Sequence, residues 1–243
     1  MRTIFCMVTV FLCVALTGLS QDIENRKLMD EMNKLQSLYL GVNGLSFGVK
    51  YLYASESNPR QYLDSLKGEM DIAGNRFRIV LDNTETVMNE KYLIHVFKED
   101  KLLYLSAPAN SVGNENPVSL LSSAFAAIKN LTYTIESANG LKTITVNFPS
   151  GLQYKKMAFV IDSRTGLLSK VKYVVKTGQL MDANTYTGGD EYSIVECLFL
   201  NYKAGITNLS LFDEKDYFFI KDNQYKPTEK YKDYSIFLGS PNL

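Results

Sequence analysis

Between Leu63 and Pro108 the chain trades apolar for polar residues with a period of two. Leu66, Gly68, Met70 and Ile72 fall on one face, and Lys67, Glu69 and Asp71 fall on the other. That period is the mark of a half-buried strand. Ala73-Gly74-Asn75 interrupts the run as a turn does. Phe77, Ile79 and Leu81 then resume it against Arg76 and Arg78. Asp82-Asn83, Asn89-Glu90 and Glu99-Asp100 mark further turns. The stretch predicts four or five short antiparallel strands in series, a meander with one apolar face and one wet, charged face. What covers the apolar face decides the function.

The flanking segments read in the same way. Leu28, Met32, Leu35 and Tyr39 recur at helical spacing and predict a helix over Asp22–Val42, closed by Gly41 and Gly44. Leu45, Phe47, Val49, Tyr51 and Tyr53 alternate as a strand with an aromatic side. Asn116 and Pro117 suit the N-cap and first turn of a second helix, Pro117–Lys129. Its apolar positions fill two adjacent faces, so it must be buried, as a plug in the sheet or as a movable lid. Strands are expected at 131–136 and 141–148 about Asn139-Gly140, at 156–162 and 167–176, at 191–203, 212–220 and 234–238. Two helices against about ten antiparallel strands make an α+β, half-barrel plan.

The start of the chain is set apart from this plan. Met1-Arg2, the apolar run Ile4–Leu16 and Gly18-Leu19-Ser20 have the layout of a secretory signal, residues 1–20, cleaved before Gln21. Cys6 and Cys13 leave with it, and Cys197 alone cannot form an internal disulfide. The 26 basic and 26 acidic residues balance, so no charge excess steers the chain to nucleic acid. No later segment has the length and apolarity of a transmembrane helix. The expected product is one soluble, exported domain over 21–243, a monomer.

Candidate chemistry is sparse. His95 is the sole histidine and sits between Leu93 and Phe97 in a strand, where a packed imidazole is the expectation. One histidine and one mature cysteine exclude the usual zinc sites. No Gly-x-Ser-x-Gly elbow and no phosphate-binding glycine loop occurs. Asp213-Glu214-Lys215-Asp216 lacks the spacing and glycine turn of a calcium loop and reads as a solvated turn. Glu69 and Asp71 share a strand face without singling out a glycosidase pair. No catalytic residue, metal or cofactor is expected, and the chain reads as a non-enzyme.

The order of these elements resembles the periplasmic lipoprotein carrier and receptor family with the LolA/LolB-like fold. The points of contact are Phe47-x-Val49-x-Tyr51, Ser65-Leu66-Lys67-Gly68-Glu69-Met70, and Gly74-Asn75-Arg76-Phe77-Arg78. Asn116-Pro117-Val118-Ser119-Leu120-Leu121 is similar to the family's helix start, and Phe159–Asp162 with Leu168–Val171 to its late hairpin. The resemblance implies an unclosed half-barrel whose concave face holds acyl chains under a covering helix. Carried over, the lipid-binding residues are Met70, Ile72, Phe77 and Ile79 on the sheet, with Leu120, Leu121, Phe125 and Ile128 on the lid. Arg76 and Arg78 are the residues available for the family's arginine latch. The implied partners are lipid or an acylated lipoprotein and inner- or outer-membrane transport components. A half-barrel filled by its own side chains, serving as an envelope interaction scaffold, is the rival expectation. A tyrosine-bearing extension from about residue 221 has no counterpart in the family.

Overall fold

The computed structural model describes residues 26–41, 44–108, 128, 130–180, 191–206, 208–240 and 243. The first helix forms as α1 (Arg26–Gly41), and the predicted stripe of Leu28, Met32, Leu35 and Tyr39 is buried. The central segment becomes β1 (Leu45–Ser55), β2 (Tyr62–Ala73), β3 (Arg76–Leu81), β4 (Thr84–Met88), β5 (Leu93–Phe97) and β6 (Leu102–Ser106). Later strands are β7 (Thr132–Ala138), β8 (Leu141–Asn147), β9 (Tyr154–Asp162), β10 (Leu168–Lys176) and β11 (Tyr192–Ala204). The chain closes with β12 (Phe218–Lys221), β13 (Gln224–Pro227) and β14 (Ser235–Leu238).

Among the described residues twelve strands make one sheet in the order β14-β6-β5-β4-β3-β2-β1-β11-β10-β9-β8-β7, and β12 and β13 pair separately. The sheet is unclosed and mostly antiparallel, and the fold is α+β, as the periodicity predicts. Turn chemistry fixes the register where it was most legible. Asn139 and Gly140 both take positive φ, 53° and 75°, which a two-residue hairpin needs, and Ala138 faces Leu141 across it.

Contacts group the chain into two compact units. The first holds α1 as far as Leu38, β7 to β10, and parts of β1, β2 and β11. Its core includes Ile144, Val146, Met157, Phe159, Val175 and Val195, none more than 3% exposed. Lys142 Nζ donates to Glu31 Oε2 at 2.7 Å, which ties α1 to β8. The second unit holds β3 to β6 and β12 to β14 with the remaining parts of β1, β2 and β11.

The second unit corrects the expectation of one wet face. On β4 to β6, Val87, Ile94, Val96, Leu103 and Leu105 are fully buried and pack with Tyr217, Phe218 and Tyr231. β4 and β5 are buried on both faces because the C-terminal segment covers the face that alternation alone would leave to water. That segment also differs from the single strand expected at 212–220. Asp213 Oδ1 accepts the Lys215 N–H, capping a short 3₁₀ turn at Glu214–Asp216, so the strand begins only at Phe218. The final strand departs from the antiparallel expectation: β14 pairs parallel with β6, Ile236 opposite Leu103. The signal segment and the helix expected at 117–129 lie outside the described residues, apart from Ile128, which is half-buried in irregular backbone.

Candidate functional site

The β2–β3 hairpin brings the four sheet residues of the expected lipid face together. Met70 stands opposite Ile79 and Ile72 opposite Phe77, so the four form two adjacent cross-strand pairs on one face. Their exposures are 7%, 1%, 8% and 6% in the order Met70, Ile72, Phe77, Ile79. Gly68 makes the close approach possible, since a Cβ there would lie 1.9 Å from the Val80 carbonyl oxygen. The face continues along the register through Thr86, opposite Ile79, and His95, opposite Thr86. Leu120, Leu121 and Phe125 lie outside the described residues.

His95 is part of this packed face. It is buried, its Nδ1 lies 3.0 Å from Thr86 Oγ1, and its ring rests against Phe97 and Tyr104. Burial pushes its pKa down to about 4, so the ring is neutral at physiological pH. A neutral imidazole bonded to a threonine, among aromatic rings, satisfies a core rather than serving as a poised base.

The opposite face of the same hairpin carries a buried ionic group. Arg78 Nε donates to Glu85 Oε1 at 2.7 Å, and its Nη1 donates to Asp71 Oδ2 at 3.2 Å. Tyr217 Oη donates to Glu85 Oε1, also at 2.7 Å. Burial works against the Arg78 charge, but the hydrogen bond and charge of Glu85, together with Tyr217, outweigh it and hold the guanidinium more firmly protonated. Burial and then the Glu85 charge push the Tyr217 phenol well up. The Lys230 ammonium lies 4.8 Å from the Tyr231 ring centre, which itself stacks on Tyr217. Asn89 completes the attachment by donating to the Phe212 carbonyl at 3.0 Å and to Glu214 Oε2 at 2.8 Å. Arg78 is thus engaged on the face away from Met70 and Ile79, while Arg76 bonds Glu90 at 2.7 Å.

The acidic run at Asp213–Asp216 serves the turn and the Asn89 contact. Among the described residues no three potential metal ligands gather, and no helix is long and apolar enough to cross a membrane. Sequence reasoning missed Tyr217, Phe218 and Tyr231 as core. The largely apolar character of Leu93–Phe97 and Leu102–Ser106, interrupted only by His95 and ended by Ser106, was the available signal, because such runs belong to strands buried on both sides.

No protein-family model matches the chain, and no curated protein sequence does. Solved structures do. An uncharacterized conserved protein from Thermus thermophilus superposes with a TM-score of 0.50 at 9% identity, over 88% of this chain and 99% of that one. A DUF1329 family protein from Desulfovibrio piger gives 0.39 at 10% identity, over 77% and 96%. A LolA superfamily protein from Nitrosomonas europaea gives 0.33 at 10% identity, over 76% and 97%. The chain is similar in fold to the first of these. Identities this low speak to fold alone, and function must be argued from the site.

Proposed function

We propose that this chain is a non-enzymatic, exported carrier that holds lipid, or the acyl chains of a lipoprotein, against the Met70–Ile72–Phe77–Ile79 face, with Leu120, Leu121, Phe125 and Ile128 contributing the cover. The observation that carries this reading is the pairing of Met70 with Ile79 and Ile72 with Phe77 as one continuous apolar patch. The resemblance to the LolA-like fold supports it. An acyl chain laid on such a patch recovers about 0.8 kcal/mol per buried methylene. Binding of this kind needs apolar walls and no catalytic group.

Titration of the protein with a fluorescent fatty acid tests the reading. Uptake should saturate, and the melting temperature should rise with ligand, by the equivalent of about 2.7 kcal/mol at a hundredfold excess over Kd. Ile79→Asp should abolish uptake in a folded protein. A melting temperature that ignores every acylated ligand refutes the carrier. That outcome favours the second reading, a half-barrel filled by its own side chains and acting as an interaction scaffold. Its support is that all four patch residues are already below 9% exposure. In that case Phe77→Ala simply opens a cavity, at about 3 to 5 kcal/mol.

A further inference from the structure

The first unit carries a group of side chains that the acyl patch does not use. Tyr51 and Tyr53 stand two apart on β1, so their side chains leave the strand on the same face. Tyr173 on β10 lies opposite Val195, and Val171, on the same face, lies opposite Cys197 on β11. The Tyr173 ring meets the Tyr154 ring edge-on, 6.1 Å between centres. Tyr51 hydrogen-bonds the Cys197 thiol, and Tyr53 and Tyr173 both feel its charge, so the three phenols belong to one neighbourhood of the sheet. The surrounding face is largely apolar: Val195, Val175 and Phe159 are fully buried, and its buried Ser193 is bonded to Thr177 at 2.9 Å. The four tyrosines are only half-buried.

Among the described residues the Tyr53 and Tyr173 hydroxyls meet no hydrogen-bond partner. Phenols partly withdrawn from bulk water are normally bonded, to protein or to water, and gain from a well-placed acceptor. Burial pushes the Tyr53 and Tyr173 phenols above their usual range and Tyr154 up to about 12, so each keeps its proton and can only gain by donating it. None of the leading electrostatic influences on these phenols is a lysine or arginine; the charge that reaches Tyr53 is the carboxylate of Asp64. An anion brought here would find donors but, near Tyr53, the opposing carboxylate of Asp64.

We infer that the Tyr51–Tyr53–Tyr154–Tyr173 cluster is a binding subsite for an uncharged oxygen acceptor, the ester or amide carbonyl of a neutral acylated ligand, in preference to a free carboxylate. The inference rests on the carrier reading and names the class of cargo. Tyr53 and Tyr173 donate to the carbonyl, and the apolar face around them takes the first methylenes of the chain.

The test is competition of lauroyl glycerol and of laurate against a fluorescent acyl probe, near pH 8, where laurate is ionised. The wild type should prefer lauroyl glycerol by about tenfold or more, the worth of one to two net hydrogen bonds. In the Tyr53→Phe/Tyr173→Phe double variant that preference should fall to near parity, through weaker binding of the ester. Loss of two unpartnered hydroxyls keeps the ring shapes, so the ligand-free melting temperature should stand at or above that of the wild type. A wild type that binds acyl ligands with no preference, or a preference that survives in the double variant, overturns the subsite and leaves the carrier standing. A wild type that binds neither ligand nor probe overturns both.

Discussion

Acidification should weaken the fold in a window set by His95, and by an amount the structure fixes. The free imidazole titrates near 6.5, whereas burial beside Thr86, Phe97 and Tyr104 brings the folded value to about 4. The folded state therefore favours the neutral ring. Its contribution to stability is complete above the unfolded value of about 6.5 and is lost as pH falls toward the folded value, because there the unfolded chain binds the extra proton. At about 1.36 kcal/mol per unit the total approaches about 3 kcal/mol, with about 1.4 lost by pH 5.5 and about 2.6 by pH 4.5. Urea unfolding of wild type and His95→Gln across this range isolates the effect. The glutamine can still bond Thr86 but cannot take up a proton. Glu31, Glu90 and Asp162 are held below the usual carboxylate range by Lys142, by Arg76 and by the Thr165 amide, respectively. Their acid loss is common to both proteins and cancels in the difference. Wild-type and variant stabilities that run parallel from pH 7 to 4.5 would refute the reasoning, because a buried neutral ring must separate them.

Two further substitutions probe the β2–β3 hairpin from either side. Arg78→Met leaves Asp71 and Glu85 without their cation beneath the C-terminal segment and should cost about 3 to 5 kcal/mol in urea unfolding, part of it recovered by adding Glu85→Gln. Gly68→Ala drives a methyl into the Val80 carbonyl and should cost about 3 kcal/mol or more, since the obstacle is backbone and cannot swing aside; a neutral effect would show that the strands part freely there.

What could be read from the sequence followed local rules. The α1 stripe, the aromatic alternation of β1 and the Asn139-Gly140 hairpin each depend on neighbours within a few residues, and all stand as predicted. Met70, Ile72, Phe77 and Ile79 were placed together because two-residue periodicity and a short turn fix a hairpin register. The wet face failed for the opposite reason. Asp71, Arg78 and Glu85 have the composition of a solvated strand surface, and only distant Tyr217 brings them under cover. The parallel docking of β14 was equally illegible, since four residues, Ser235–Leu238, carry no mark of strand direction. The tyrosine cluster was visible only as the aromatic side of β1, because Tyr173 and Cys197 reach it through sheet pairing across more than a hundred residues.

The attachment of β14 has a consequence for how the molecule reaches its final state. Ala107, just past β6, donates its N–H to Ser240 Oγ, and these residues are 133 positions apart in the chain. Closing a loop of that length costs about 4 kcal/mol of chain entropy before any contact repays it. Strand pairings of such range form late and slowly. Until they do, Val87, Ile94, Val96, Leu103 and Leu105 present an apolar sheet face and β6 presents an unpaired edge. That combination is a template for intermolecular pairing. The folding yield of this protein is therefore expected to depend on chain concentration during refolding. A holdase that masks β4 to β6 until the Tyr217–Tyr231 segment docks would raise it, and the segment that completes the core would also end the chain's exposure to its neighbours.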